Sequence, residues 1–274
     1  MIEYRVDKNP LYSETIKKML RAHNLSHTGP VELEERHFYI TENKKLLGAL
    51  SVHFFWDWVT VGDVYYESLP MLRALIRAAW EHFKHKAVGI KFFTPVESRF
   101  QDFLESGFSA VATVRNVGGF DYYFADLNAT SDDDGSIQVQ SVSDFQQEQE
   151  YHTQLKQHTR SFNEHHGIKG MTDSVQIVAV EGETFVGGVQ CDVYTNTMFI
   201  TRLVVDPAYR KRDIGKTLVE WAVREAQKRK VDVVELGTTG FQGREFYEKQ
   251  GFQVVHTRKD NPKGYDCHTM LRRL

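Results

Sequence analysis

The chain has 274 residues, a formal net charge of −3, and 41% hydrophobic against 26% charged residues. That length exceeds the ~100–150 residues of one average domain, so two domains with cores of their own are expected. The charge balance excludes general nucleic-acid binding, which needs a net basic face; two cysteines, Cys191 and Cys267, cannot build a disulfide framework; and no apolar run approaches the ~20 residues of a membrane span.

Met1-Ile2-Glu3-Tyr4-Arg5 lacks the apolar core of a signal peptide, so a cytoplasmic protein is expected. The glycosylation-type triplets Asn24-Leu25-Ser26 and Asn128-Ala129-Thr130 are then chance matches.

In chain order, the first half shows an aromatic run, Phe54-Phe55-Trp56-Asp57-Trp58. A helix from Pro70 to His85, a strand from Val88 to Phe92 and the segment Phe103-Leu104-Glu105-Ser106-Gly107-Phe108 follow. These aromatics and Tyr122-Tyr123-Phe124 are read as packing within and between the two halves, with a substrate groove or a homodimer surface as the alternatives. The polar, acidic stretch 128–136 reads as a linker.

After it come a short strand near Ile137 to Val142 and a helix from Asp144 to Arg160 capped by Ser143. Strands Gln176 to Val180, Phe185 to Val193 and Thr197 to Val205 are separated by turns at Glu181-Gly182-Glu183 and Tyr194-Thr195-Asn196. Next comes the cationic loop Arg210-Lys211-Arg212-Asp213, which feeds an amphipathic helix from Ile214 to Arg229 with Ile214, Leu218, Val219, Ala222 and Ala226 on one face. A strand from Val231 to Leu236, a helix carrying Tyr247, and strands Gln253 to Thr257 and Tyr265 to Leu271 complete the chain. His152, His158, His165 and His166 cluster in and after the first of these helices, without C-x-x-C or H-E-x-x-H spacing, so they read as loop and helix histidines and no metal is expected.

The loop is the chemically telling element. A helix's first turn presents unpartnered N–H groups and the positive end of its dipole, which suits a pyrophosphate. Arg210, Lys211, Arg212 and Lys216 add cations there, and Gly215 permits close approach.

Arg210 to Gly215, preceded by Leu203, Val205, Pro207 and Tyr209, resembles the R/Q-x-x-G-x-G/A signature of the GNAT superfamily of N-acetyltransferases. Asp213 stands at the first motif Gly, a substitution compatible with left-handed backbone and with a helix N-cap. Phe246-Tyr247-Glu248-Lys249-Gln250-Gly251-Phe252 is similar to the family's second signature, with Gly240 and Gly243 in place of Asn and Ala. The resemblance implies an α/β fold of two tandem GNAT-like domains, each a mixed, mostly antiparallel sheet flanked by helices. The first copy is expected at 1–127, the linker at 128–136 and the catalytic domain at 137–274.

The first copy echoes the second at an offset of 144 residues but has Tyr66-Glu67-Ser68-Leu69-Pro70-Met71 where the loop should be and Phe103 where Tyr247 should be, so it is expected to be non-catalytic.

The resemblance further implies acetyl-coenzyme A as co-substrate, held by Leu203, Val204, Val205, Arg210, Lys211, Arg212, Asp213, Ile214, Gly215 and Lys216 in a splay between Leu203–Val205 and Val233–Glu235. A small-molecule or peptide amine would attack the thioester directly, with Tyr247 serving the leaving thiolate. Glu235 is the candidate base, with Asp192 or a bound water as the alternatives. An acyl-coenzyme A sensor or partner-binding protein without turnover is the other reading, and no nucleic-acid or membrane partner is expected.

Overall fold

The computed structural model describes residues 1–127, 137–140, 145–194 and 196–274. The expected linker at 128–136, the cap Ser143 and the turn residue Thr195 lie outside them. The elements begin with β1 (Ile2–Val6), α1 (Pro10–Thr28), β2 (Leu33–Glu42), β3 (Lys45–Phe55), β4 (Trp58–Tyr66), α2 (Leu69–Phe83), β5 (Gly89–Thr94), α3 (Glu97–Glu105), β6 (Ser109–Val117) and β7 (Phe120–Leu127). They continue with α4 (Phe145–His165), β8 (Met171–Glu181), β9 (Thr184–Tyr194), β10 (Thr197–Val205), a 3₁₀ turn (Pro207–Tyr209), α5 (Ile214–Lys228), β11 (Val233–Thr239), α6 (Arg244–Glu248), β12 (Gln253–Arg258) and β13 (Cys267–Arg273).

Two compact units result, and neither is contiguous in sequence. One gathers residues 1–30, 116–119 and 169–274, the other 31–115 and 120–168. This differs from the expected division into 1–127 and 137–274 at both ends. β1 and α1 pack in the unit that carries the cationic loop, while α4, expected to open that unit, packs in the other.

The first unit is built on a seven-stranded sheet in the order β1-β8-β9-β10-β11-β13-β12. It is antiparallel except for the pair β10–β11. One face is covered by α5, whose Ile214, Leu218, Val219, Ala222 and Ala226 enter the core with Ile177, Val189, Met198, Val234 and Met270. The C-terminal end of α5 is anchored by Arg229, which holds Glu225 at 2.6 Å and Asp173 of β8 at 2.8 Å.

The other face receives α1. Its start is set by Asn9, whose side chain accepts from the Leu11 amide at 3.0 Å, and by Pro10 in the first turn. Ile16 of α1 is fully buried, which contributes roughly 2–3 kcal/mol of transfer free energy. Gly188 of β9 permits that contact, since a Cβ there would lie 2.6 Å from Ile16 Cδ1. Gly187, one residue earlier, faces Ile214 and Leu218 of α5, so alternation along β9 assigns each residue to one helix or the other.

The second unit repeats this plan with a six-stranded sheet, β2-β3-β4-β5-β7-β6, again with one parallel pair, β4–β5. Leu72, Leu75, Ile76, Ala79 and Phe83 of α2 fill one face together with Leu50, Phe54, Ile90 and Phe92. Tyr151 and Leu155 of α4 bury against Tyr39, Leu46 and Ala49 on the other. Residues near 137–142, expected to be a strand, supply one bridge, Gln140 to Tyr39; residues 141 and 142 are not among those described. Gln140 and α4 thus occupy in this unit the places that β1 and α1 occupy in the first.

Of the aromatic run, Phe54 and Trp58 are buried in this unit, Phe55 is exposed, and Trp56 and Asp57 form the β3–β4 turn with positive φ.

The division predicts how fragments behave. Residues 31–168 are expected to unfold cooperatively in urea, followed by circular dichroism. Residues 1–127, which keep β1 and α1 without their sheet and lack Tyr151 and Leu155, are expected to show no cooperative transition. Equal cooperativity of the two fragments would contradict the division.

Candidate active site

The parallel pair β10–β11 is short. Thr197, Met198, Phe199 and Ile200 pair with Val233, Val234, Glu235 and Leu236, and the ladder ends there. A bulge between Ile200 and Arg202 shifts the register of β10 against β9, while Leu203, Val204 and Val205 remain paired with β9 alone. Beyond Leu236, β10 and β11 diverge and leave the β11-facing edge of Leu203–Val205 unpaired. The gap therefore opens past the position expected: Val233–Glu235 lie in the closed, paired part, and the opening faces Gly237.

The gap leads to the N-terminus of α5. Lys211 (φ 61°) and Asp213 (φ 56°) both adopt left-handed backbone, an alternation that turns successive amides toward one side as an anion-binding nest. Asp213 thus keeps the conformation a Gly would supply. Its carboxylate makes no capping bond, while its carbonyl accepts from the Thr217 amide at 2.9 Å. Arg210 donates from Nε to the Val205 carbonyl at 3.4 Å. Arg212 departs from the expectation: its guanidinium lies 3.6 Å from Glu181 and 5.0 Å from the Tyr209 ring centroid, outside the cleft lining. Arg210, Lys211 and Lys216 supply the positive charge at the cleft.

The cleft has a volume of about 870 Å³ and includes every other expected cofactor residue: Leu203, Val204, Val205, Asp213, Ile214 and Gly215. Tyr247 lines it, with its ring edge-on to Phe246 at 5.0 Å and to Phe252 at 5.8 Å. Burial, with a smaller contribution from nearby Cys191, holds the Tyr247 phenol well above its ordinary pKa. Gly243 leaves room for the motif Ala, since a Cβ there would meet Phe246 and Tyr247 at 3.7–3.8 Å.

Glu235 does not line the cleft. It pairs with Phe199, which pairs with Asp192, so all three stand on the α1 face of the sheet, with Gly237 next along that face at the cleft. Glu235 has no hydrogen-bond or ion-pair partner among the described residues, and burial pushes its carboxyl up to about 8.

Sequence reasoning missed one wall entirely. Met19, Leu20, Ala22 and His23 of α1 line the cleft. His23 stands near Arg210, and its pKa is lowered by burial, then by His27 and Arg210. The stretch from His152 to His166 lies in the other unit, where His152 packs on His37 at 4.5 Å and His158 stacks on Tyr65 at 3.6 Å. The N-cap at Asn9-Pro10 was passed over in the sequence, and no pattern in α1 says which sheet receives it.

A sequence model of the acetyltransferase (GNAT) family matches residues 139–252. That stretch, rather than the whole chain, is what is similar to the family. No curated protein matches the sequence.

Among solved structures, an acetyltransferase from Bacillus cereus ATCC 14579 is 24% identical, covering 49% of this chain and 96% of that one at a TM-score of 0.44. The PaiA N-acetyltransferase of Thermoplasma acidophilum in complex with coenzyme A is 24% identical over 47% of this chain and 75% of that one, TM-score 0.34. An aminoglycoside 6'-N-acetyltransferase complexed with coenzyme A is 23% identical over 37% and 73%, TM-score 0.34.

The two units share one topology, yet only the one with the cationic loop keeps an open gap at its parallel pair. In the other, β4 and β5 also pair briefly, from Trp58–Gly89 to Thr60–Lys91. There Arg99, at the place of Gly243, donates from Nη1 to the Val64 carbonyl at 3.3 Å and lies 3.4 Å from the Phe162 ring centroid. Val64 corresponds to Leu203, so Arg99 takes a carbonyl whose counterpart is left open in the other unit, where Arg210 reaches only the Val205 carbonyl. Pro70 in the first turn of α2, which removes one amide there, completes the difference.

Two outcomes follow for this site. Asp213→Gly removes a left-handed non-glycine residue and is expected to raise stability by about 1 kcal/mol, read as a rise in Tm. For Glu235, the native carboxyl holds its proton up to about pH 8 while the unfolded one releases it near 4.5, so the native state loses stability as pH rises between those values. Glu235→Gln is expected to melt increasingly above wild type from about pH 5 to 8 and by a constant margin beyond. A pH-independent difference would refute the raised carboxyl.

Proposed function

We propose that the unit with the cationic loop binds acetyl-coenzyme A and transfers the acetyl group to a primary amine by direct attack. The observation that carries this is the unpaired edge of Leu203–Val205 running into the nest at the N-terminus of α5. A pantetheine chain can hydrogen-bond that edge as an added strand, and its diphosphate can take the loop amides with Arg210, Lys211 and Lys216.

The thioester then lies where the strands diverge, reachable from both sheet faces. The attacking nitrogen forms a bond to the carbonyl carbon, and an amide N–H of the β10 edge stabilises the oxyanion. The nitrogen's proton passes through water to Glu235, and the C–S bond breaks as the sulfur leaves as a thiolate. Tyr247 hydrogen-bonds to that thiolate and gives it a proton, Glu235 releases its proton to water and the phenol takes one up from water; the products are the N-acetylated amine and free coenzyme A. A phenol of pKa ~10 protonating a thiolate whose acid has pKa ~8.5 is uphill by about 2 kcal/mol, and burial of Tyr247 adds to this. Hydrogen bonding therefore precedes full transfer.

A binding-only role would be supported by a side chain filling the gap, as Arg99 does in the other unit, whereas here the gap is open. Thiol release over a panel of amines tests the reading. Tyr247→Phe is expected to lower kcat about 10–100-fold while leaving acetyl-coenzyme A affinity within twofold. With wild type, kcat/KM is expected to rise with pH to a plateau above about 8, and Glu235→Gln to lose that rise. Binding of acetyl-coenzyme A without thiol release on any amine would sink the catalytic reading.

A further inference from the structure

A second cavity of about 400 Å³ opens on the α1 face of the same sheet. It is lined by Lys8, Pro10 and Ser13 at the start of α1, by Ser174 and Gln176 of β8, by Gln190 and Asp192 of β9, and by Thr201 and Arg202 of β10. Thr201 and Arg202 also line the large cleft, so the two cavities meet at the β10 bulge, beside the point where the strands diverge.

Two features make it a built site. First, Arg202 is positioned by a relay of amides. Its Nη1 donates to Gln190 Oε1 at 3.2 Å, and Gln190 Nε2 donates to Ser13 Oγ at 2.8 Å and to Gln176 Oε1 at 2.9 Å. Gln176 Nε2 is in turn held by the carbonyls of Asp7 at 2.8 Å and Asn9 at 3.1 Å. Only one of the five guanidinium N–H groups is engaged, and no carboxylate lies within 4 Å of Arg202 among the described residues. Second, Asp192 is half-buried in the same cavity and has no ion-pair or hydrogen-bond partner among the described residues. Two half-buried charges of opposite sign thus share a small space without meeting, which costs desolvation that a bridging ligand would offset.

Resting on the acetyl-transfer reading, we infer that this cavity takes the acceptor, and that the acceptor is an amine bearing a carboxylate, bound by Arg202, and a second cationic group, directed to Asp192: a basic amino acid or a segment presenting one. The carboxylate would sit at the bulge, where both cavities open, and the cationic tail would lie deeper, among Asp192, Ser174 and Gln190. An acidic tail would instead face Asp192 and be rejected.

Calorimetry with the full chain saturated with unacylated coenzyme A tests this without turnover. L-lysine, cadaverine (the same molecule without the carboxylate) and L-glutamate are the probes. Lysine is expected to bind at least 10-fold tighter than either of the others. Arg202→Gln is expected to bring lysine down to the cadaverine value, Arg202→Lys to restore part of the preference, and Asp192→Asn to narrow the gap between lysine and glutamate. Far-ultraviolet circular dichroism and a wild-type melting temperature confirm that each variant is folded. Equal affinity for lysine and cadaverine, or an Arg202→Gln change that weakens both alike, would overturn the assignment. Thiol release is read separately: its failure would overturn acetyl transfer, while the lysine preference would still report on the cavity.

Discussion

The site depends on a parallel ladder that stops after four residue pairs. A continuous β10–β11 ladder would satisfy the Leu203–Val205 edge within the protein and leave no backbone for a ligand to use. The bulge after Ile200 shifts the register but keeps β10 paired with β9 while it turns away from β11, so the sheet holds together on one side of the gap. Unpaired backbone N–H and C=O groups are costly when buried and useful when they face a ligand. Here they point into a cleft whose far end is the first turn of a helix.

The gap also explains why the two candidate catalytic side chains lie on opposite faces of one sheet. Tyr247 packs with Phe246 and Phe252 beside the core under α5, and Glu235 stands on the face covered by α1. A thioester in the opening can be approached by an amine from the α1 side while its sulfur is met from the other. The same topology recurs in the second unit, with its own short parallel pair, but Arg99 bonds to the Val64 carbonyl and Phe162 stacks on its guanidinium. In the first unit a glycine stands at the place of Arg99, and only the Val205 carbonyl of the edge is taken, by Arg210.

Much of the site was legible in the chain because its signals are local. The cationic loop, the apolar face of α5 and the Phe-Tyr-Glu-Lys-x-Gly-Phe run each lie within one element, and β10 begins and ends where its residues suggest. The echo of Phe103–Phe108 with Tyr247–Phe252 likewise showed the repeated topology. What was not legible is which sheet each opening helix joins. α1 and α4 are both amphipathic, and the preference for packing neighbours in sequence favours the wrong pairing. That preference misassigned the histidines of α4 and hid the wall formed by Met19, Leu20, Ala22 and His23. Arg212 was misplaced for a related reason: charge counts along a loop do not reveal that Glu181 and the Tyr209 ring draw one guanidinium aside.

The most direct test of the open edge is amide hydrogen exchange on the full chain with and without coenzyme A. The account predicts that the ligand slows exchange at Leu203–Val205 and at the first turn of α5, with no change at Val64–Tyr66 or at the start of α2. Exchange that is unaltered at Leu203–Val205 at saturating coenzyme A, or equally slowed in both units, would contradict it.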